Sequence, residues 1–141
     1  FESPDADTLR RYNKGQSSGI YQKLTEILKR EDIELTALFI VDPQYSVSDF
    51  IRLFRYIKKL GISLYTLSIM TPLKGTSDYE HKKHMLTDSD PKKFDFLHLV
   101  LPSRLPKWLF YALFYAGHLR LLKSRRIRNM IRALIFKAKE D

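Results

Sequence analysis

The sequence predicts an α/β chain in which parallel strands are joined by crossover helices and a helical C-terminal extension follows. Three observations carry that prediction. Ile33–Ser46 (IELTALFIVDPQYS) holds a nearly continuous apolar run, Leu35, Ala37, Leu38, Phe39, Ile40 and Val41, stopped by Asp42-Pro43. Such a run fits a strand buried on both faces. Ile62–Met70 (ISLYTLSIM) is a second strand, rich in β-branched and aromatic residues. Helical patterns lie before, between and after them, which is the layout of a parallel sheet with a right-handed crossover. In such folds ligands bind at the loops leaving the C-terminal ends of strands, and Asp42-Pro43-Gln44-Tyr45 is one such loop.

The elements follow in order. Phe1-Glu2-Ser3 reads as the end of a strand, and Pro4 and Asp5 suit the first turn of a short helix over Asp7–Tyr12. Gly15 can take a left-handed cap after Asn13-Lys14. Ser17 and Ser18 start a second helix whose apolar positions are Ile20, Leu24, Ile27 and Leu28, spaced to cover a core. After the first strand, Ser46 and Asp49 resemble a capping box with Asp in the Glu position. The helix they open runs to about Lys59, with Phe50, Leu53, Phe54, Ile57 and Leu60 facing inward and Gly61 ending it. Thr71–Thr76 is a loop, Asp78–Leu86 a polar helix, Thr87–Lys93 a loop, and Phe94–Leu101 (FDFLHLVL) a further strand. Arg104–Leu122 is helical and apolar nearly all round. Lys107, Gly117, His118 and Arg120 interrupt it short of the roughly 20 apolar residues a bilayer span needs, so it reads as a docked helix. The last helix, Ser124–Lys137, sets Ile127, Met130, Ile131, Leu134 and Ile135 beside a basic face.

The bulk numbers bound the chemistry. A chain of 141 residues is one domain's worth, and 44% apolar with 13% aromatic residues argues for a folded core. The absence of cysteine excludes disulfides, thiolate zinc and an iron–sulfur cluster held by this chain alone. The net charge is +9, of which residues 118–141 supply eight Lys and Arg against Glu140 and Asp141. The basic character is thus chiefly a property of the tail. The N-terminus has neither an initiator methionine nor a leader pattern, and reads as cut from something longer.

Three stretches together resemble one family. Phe1-Glu2-Ser3 with Leu9 and Asn13-Lys14-Gly15 resembles the "G-[IF]-E-S … L … x-K-G" block of radical S-adenosylmethionine enzymes. Ile40-Val41-Asp42-Pro43 is similar to the family's "xxGxP" strand end, and Thr71-Pro72-Leu73-Lys74-Gly75-Thr76 to its "TP-x-x-GT" loop. The branch most similar is the cobalamin-associated one of magnesium-protoporphyrin ester cyclases, hopanoid-modifying enzymes and methyltransferases. FDFLHLVLPSRLP resembles its C-terminal extension. The resemblance implies a partial (βα) TIM-type barrel half over residues 1–101 and a helical extension over 102–141, in which Ile33–Ser46 holds the fifth barrel strand. It implies S-adenosylmethionine and a [4Fe–4S] cluster in a parent enzyme, with cobalamin left open. The chemistry implied is reductive cofactor cleavage to a 5′-deoxyadenosyl radical, then hydrogen abstraction from an apolar, tetrapyrrole or lipid substrate. Glu2 and Ser3 would face the ribose and methionine parts of the cofactor, and Phe39–Pro43 and Ile69–Pro72 would line its adenine, with Val41, Asp42, Pro43, Thr71 and Pro72 as the binding residues. The family's CxxxCxxC loop is absent, so the fragment alone would not catalyse, and its partner would be the N-terminal half of the barrel. Asp42 stands where the family often has glycine.

Each candidate has a plainer reading. Glu2 and Ser3 fit a frayed terminus, and Asp42-Pro43 and Thr71–Thr76 fit ordinary turns. His81 and His84, three apart with Lys82 and Lys83 between them, read as a solvated helix face and not a metal site. His98 reads as a satisfied, partly buried histidine. The alternative function is a non-catalytic interaction module of a cytoplasmic protein. Its aromatic and basic segment Trp108–Lys139 would meet a membrane surface or protein partner, with nucleic acid disfavoured and intramolecular packing the plain reading.

Overall fold

The computed structural model describes residues 18–62 and 64–122. The predicted strand end at Phe1–Ser3, the helix over Asp7–Tyr12 and the basic helix over Ser124–Lys137 lie outside the described residues, as do Glu2 and Ser3.

The described elements are helix α1 (Ser18–Arg30), strand β1 (Thr36–Val41), helix α2 (Val47–Leu60), strand β2 (Leu64–Ile69), the short helix α3 (Ser77–Lys82) and helix α4 (Lys107–Leu122). Two 3₁₀ turns, Lys83–Met85 and Pro91–Lys93, lie between α3 and α4. β1 and β2 pair in parallel, with Phe39 opposite Leu67 and Val41 opposite Ile69, and form an open two-stranded sheet. The strand–helix–strand unit therefore stands as the apolar periodicity predicts.

Local chemistry explains α2 completely. The Ser46 hydroxyl accepts from the Asp49 amide at 3.4 Å, and the Asp49 carboxylate accepts from the Ser46 amide at 2.8 Å, a reciprocal capping box. At the other end Gly61 sits at φ 63°, in the left-handed region that closes helices, and its amide bonds the Lys58 carbonyl at 3.0 Å. The Lys29 ammonium of α1 reaches the Leu60 carbonyl at 3.4 Å, placing a cation at the negative end of α2. The inward stripe is Phe50, Leu53, Phe54, Ile57 and Leu60, as the spacing predicts.

One core results, on one face of the sheet. Ala37, Phe39, Val41, Tyr65, Leu67 and Ile69 pack against the α2 stripe and against Phe110 and Phe114 of α4. Rings of these elements meet edge to face, Phe50 on Phe110 at 5.4 Å and Phe39 on Tyr65 at 6.2 Å. α4 comes close to β2 because residue 117 is glycine: a Cβ there would stand 2.5 Å from Leu67 Cδ1 and 2.7 Å from the Phe54 ring. The Tyr65 hydroxyl then donates to the Gly117 carbonyl at 2.7 Å, inside the core.

Three expectations change. The first strand is not buried on both faces: residues 36 to 41 alternate, with Ala37, Phe39 and Val41 buried while Leu38 is 52% exposed. β2 alternates in step, so Thr36, Leu38, Ile40, Leu64, Thr66 and Ser68 share a face that no described helix covers. α1 buries Tyr21 and Thr25 and leaves Ile20, Leu24 and Ile27 exposed, so its inner face is turned from the predicted stripe. Phe94–Leu101 is not a strand. Asp95 accepts from the amides of Leu97 and His98 at 2.9 and 3.1 Å, which folds the segment into a turn, and Phe96 adopts φ 63° within it.

Candidate functional site

Both strands run the same way, so their C-terminal ends open on one edge, where three loops meet. The first follows β1. The Asp42 carboxylate accepts from the Gln44 amide at 2.8 Å and the Asp42 carbonyl from the Tyr45 amide at 2.9 Å, a side-chain-stabilised turn leading to the Ser46 cap. The second follows β2. The Met70 amide extends the ladder to the Val41 carbonyl at 2.9 Å, the Thr71 hydroxyl turns back to the Ile69 carbonyl at 3.0 Å, and Thr76 caps α3 by accepting from the Tyr79 amide at 3.2 Å. The third, residues 95–104, crosses the edge. Phe96 accepts from the Ile69 amide at 2.6 Å, Arg104 donates its amide to Pro43 at 3.1 Å, and the Gln44 side chain donates to Pro102 at 2.7 Å.

The predicted residues divide on this edge. Val41, Pro43 and Pro72 are fully buried and Thr71 nearly so, their side chains spent on the core or, for Thr71, on its own turn. Only Asp42 among the described candidates keeps a partly exposed polar side chain, and one of its oxygens already holds the turn. A ligand at this edge would therefore meet Val41, Pro43, Thr71 and Pro72 through their backbone, as close approach at strand ends requires. Strand periodicity puts Ile40 beside Ser68 on the bare face, and Asp42 and Met70 continue the same two rows at the edge. Ile40 and Met70 lie within the two predicted lining stretches, whereas Ser68 does not; reading the alternation of the two strands singly, and not as one apolar run, would have found it. The Lys82 ammonium lies 3.7 Å from Met70 Sδ and forms an ion pair with Asp78 at 2.6 Å, so a cation borders this row.

Asp95 and His98 sit on the crossing loop. The imidazole Nδ1 lies 2.8 Å from Asp95 Oδ2, so the ring is satisfied as the plain reading has it, but half of the His98 side chain is exposed. Partial burial raises the Asp95 pKa, but hydrogen bonds from the Leu97 amide, the His98 ring and the His98 amide outweigh it and hold the carboxyl below its usual range. Phe96, between them, carries a left-handed backbone that costs a non-glycine residue roughly 1–2 kcal/mol. The crossing loop is thus held in a strained turn beside the end of β2.

Two further places carry less. Among the described residues no group of three His, Asp or Glu stands together to hold a metal, and His81 turns its Nδ1 to the Ser77 carbonyl at 2.6 Å. A cleft of about 570 Å³ between the C-terminal ends of α1 and α2 is lined by Lys29, Asp32, Leu35 and Ile62. It opens at the N-terminal ends of the strands, the end that parallel α/β folds use for stability and not for ligands. Among the described residues no helix is long and apolar enough to cross a membrane.

Over 111 residues the chain is 29% identical to the hopanoid C-3 methylase of Methylococcus capsulatus, a stretch covering 79% of this chain and 21% of the methylase. The chain thus spans about a fifth of the length of the curated relative it matches. No family model matches the chain.

Proposed function

We propose that this chain is the C-terminal part of the catalytic barrel of a radical S-adenosylmethionine enzyme that modifies an apolar, lipid-like substrate. The observation that carries the proposal is the one-sided sheet. α2 and α4 cover one face, while Leu38, Ile40, Ser68 and Met70 occupy rows that no described helix covers. In a (βα) barrel the helices pack outside and the opposite face of each strand looks inward, toward cofactor and substrate. Leu38, 52% exposed, and Ile40 follow one another along that bare face, which the remaining barrel strands would cover. Similarity to a hopanoid methylase and the ordered "ES", "DP" and "TP-x-x-GT" blocks point the same way.

The two implied groups fit this chain unequally. With no cysteine, the chain offers no thiolate for an iron–sulfur cluster, so that group would be held by the preceding half. The strand ends suit the adenosine end of S-adenosylmethionine: Ile40 and Met70 offer apolar contact, Ser68 a hydroxyl, and Asp42 a carboxylate oxygen for a ribose hydroxyl or an exocyclic amine. When bound, S-adenosylmethionine supplies the radical or the methyl group. The chain's own contribution is positional: the Asp42 turn and the Thr71 turn set the backbone edge, the crossing loop ties that edge to α4, and the apolar rows exclude water. Glu2 and Ser3 belong to the same reading, as does cobalamin elsewhere in the protein, both on the resemblance alone.

The full-length enzyme tests it. Ser68→Phe puts a ring on the bare face without entering the core. It should weaken S-adenosylmethionine binding, read by titration calorimetry, at least tenfold while leaving the melting temperature within a few degrees. Unchanged affinity and unchanged turnover would exclude this face from the site.

A further inference from the structure

Helix α4 is apolar on two sides. Its inner side, Phe110, Phe114 and Gly117, is buried against the sheet and α2. Its outer side carries Trp108, Ala112, Tyr115 and Leu119, spaced i, i+4, i+7 and i+11, and Trp108, Tyr115 and Leu119 are 73%, 51% and 59% exposed. A helix that only docks on its own domain turns polar residues outward, and this one does not. From Trp108 to Leu119 there is no Lys, Arg, Asp or Glu.

Charge surrounds that stripe on both sides. Between Phe96 and Lys139 the sequence has no Asp or Glu and ten Lys and Arg, beginning with Arg104 and Lys107 just before α4 and resuming at Arg120. The rest of the chain has fifteen Lys and Arg against sixteen acidic residues. The entire net charge of +9 therefore belongs to α4 and its flanks.

We propose that the outer face of α4 docks on an anionic lipid surface. Trp108, Tyr115 and Leu119 would enter the boundary between headgroups and acyl chains, and Arg104 and Lys107 at the start of the helix would meet lipid phosphates. The separation of the two signals selects this occupant. Nucleic-acid platforms interleave stacking aromatics with cations along one groove. Here a charge-free stripe with Trp and Tyr, the residues enriched at membrane–water interfaces, is flanked in the sequence by cations. Stable attachment of this kind takes both an apolar and a basic signal, and both are present. α4 has 16 residues and no described helix can span a bilayer, so the helix lies along the surface. Tyr111 stacks on Tyr115 at 6.0 Å, which holds the middle of the stripe in place. This docking does not rest on the catalytic reading.

The chain contains its own reporter, because Trp108 is its single tryptophan. The 141-residue chain is mixed with phosphatidylcholine vesicles with and without phosphatidylglycerol. Trp108 emission should shift to the blue and become protected from acrylamide only with phosphatidylglycerol, and raising salt should reverse both. Tyr115→Ser with Leu119→Ser, both outside the core, should lower co-sedimentation about tenfold. An unmoved Trp108 spectrum on phosphatidylglycerol vesicles overturns the proposal, whether or not the protein sediments, because attraction by charge alone leaves the stripe in water. Tighter binding to a DNA or RNA duplex than to the vesicles at equal salt overturns it too, in favour of a nucleic-acid surface.

Discussion

Gly117→Ala is expected to destabilise the protein, although glycine is the poorer residue inside a helix. Relieving the glycine penalty within α4 should stabilise by about 1 kcal/mol. Against that, the new methyl carbon would stand 2.5 Å from Leu67 Cδ1 and 2.7 and 3.0 Å from two carbons of the Phe54 ring. Ordinary carbon contacts are about 3.5–4.0 Å, so something must yield by roughly 1 Å. Leu67 is fully buried and Phe54 nearly so, so either would have to shift within the core. Overpacking of this kind costs about 1–3 kcal/mol. The same crowding pushes α4 outward and lengthens the buried 2.7 Å hydrogen bond from Tyr65 to the Gly117 carbonyl, at a further cost of about 1 kcal/mol. The net expectation is a loss of about 1–3 kcal/mol, read as a lower urea midpoint by circular dichroism. The double variant Gly117→Ala/Leu67→Ala separates the causes. With Leu67 trimmed, the alanine should cost nothing or stabilise, a coupling of at least about 1 kcal/mol. Equal or higher stability in the single variant, or no coupling in the cycle, would refute the close approach of α4 to β2.

Tyr56→Phe should leave stability unchanged or raise it by up to about 1 kcal/mol, because the buried Tyr56 hydroxyl has no hydrogen-bond partner among the described residues. A loss above about 1 kcal/mol in urea would mean that the hydroxyl is satisfied. Ser46→Ala should cost about 0.5–2 kcal/mol by removing one arm of the capping box of α2. Burial raises the Asp49 pKa, but hydrogen bonds from the Ser46 hydroxyl and amide and from Arg52 overcome it, so the folded value lies below 3.8. The stabilisation from Asp49 is therefore complete above the unfolded value and lost as pH falls through the folded one. Acid melts of wild type and Asp49→Asn should converge as pH falls through the depressed folded value of Asp49. Asp42→Asn keeps an acceptor for the Gln44 amide while Asp42→Gly does not. If Asp42 meets cofactor through its charge, both weaken S-adenosylmethionine binding in the full-length enzyme; if it only makes the turn, the Asn variant binds as wild type.

What was legible in the sequence followed how local its cause is. Ser46, Asp49, the five-residue apolar stripe and Gly61 act within 16 positions, and α2 begins, faces inward and ends where they predict. β1 was legible as a strand but not in its covering. Leu38 and Ile40 look the same whether a second layer covers them or a missing one does, so a continuous apolar run could not reveal a bare face. On α1 the stripe Ile20, Leu24, Ile27 and the buried pair Tyr21 and Thr25 are neighbours on the helix, and long-range packing on α2 chose between them. Residues 94–101 are as apolar and aromatic as a strand, yet Asp95 offers two amides a nearer acceptor than any ladder, and the turn wins. The site suffered most: four of its five described candidates have buried side chains, and sequence motifs do not distinguish a residue needed for its side chain from one needed for its turn.

The bare face and the outer stripe of α4 bear on each other through Gly117. β2 has two sides: Leu67 and Tyr65 face α4, while Thr66 and Ser68 face the uncovered side. Gly117 presses α4 onto the first side, and the same helix presents Trp108 and Tyr115 away from the sheet. A rigid connection of one helix and one strand therefore separates the proposed membrane contact from the proposed substrate face. Their readouts are consequently separable: Ser68→Phe should spare the Trp108 shift on vesicles, and Tyr115→Ser with Leu119→Ser should spare S-adenosylmethionine affinity. Gly117→Ala, which moves the shared element, should disturb both. Loss of both readouts in either surface variant would show that the two faces are not independent and that α4 is held less firmly on β2 than the Tyr65 hydrogen bond implies.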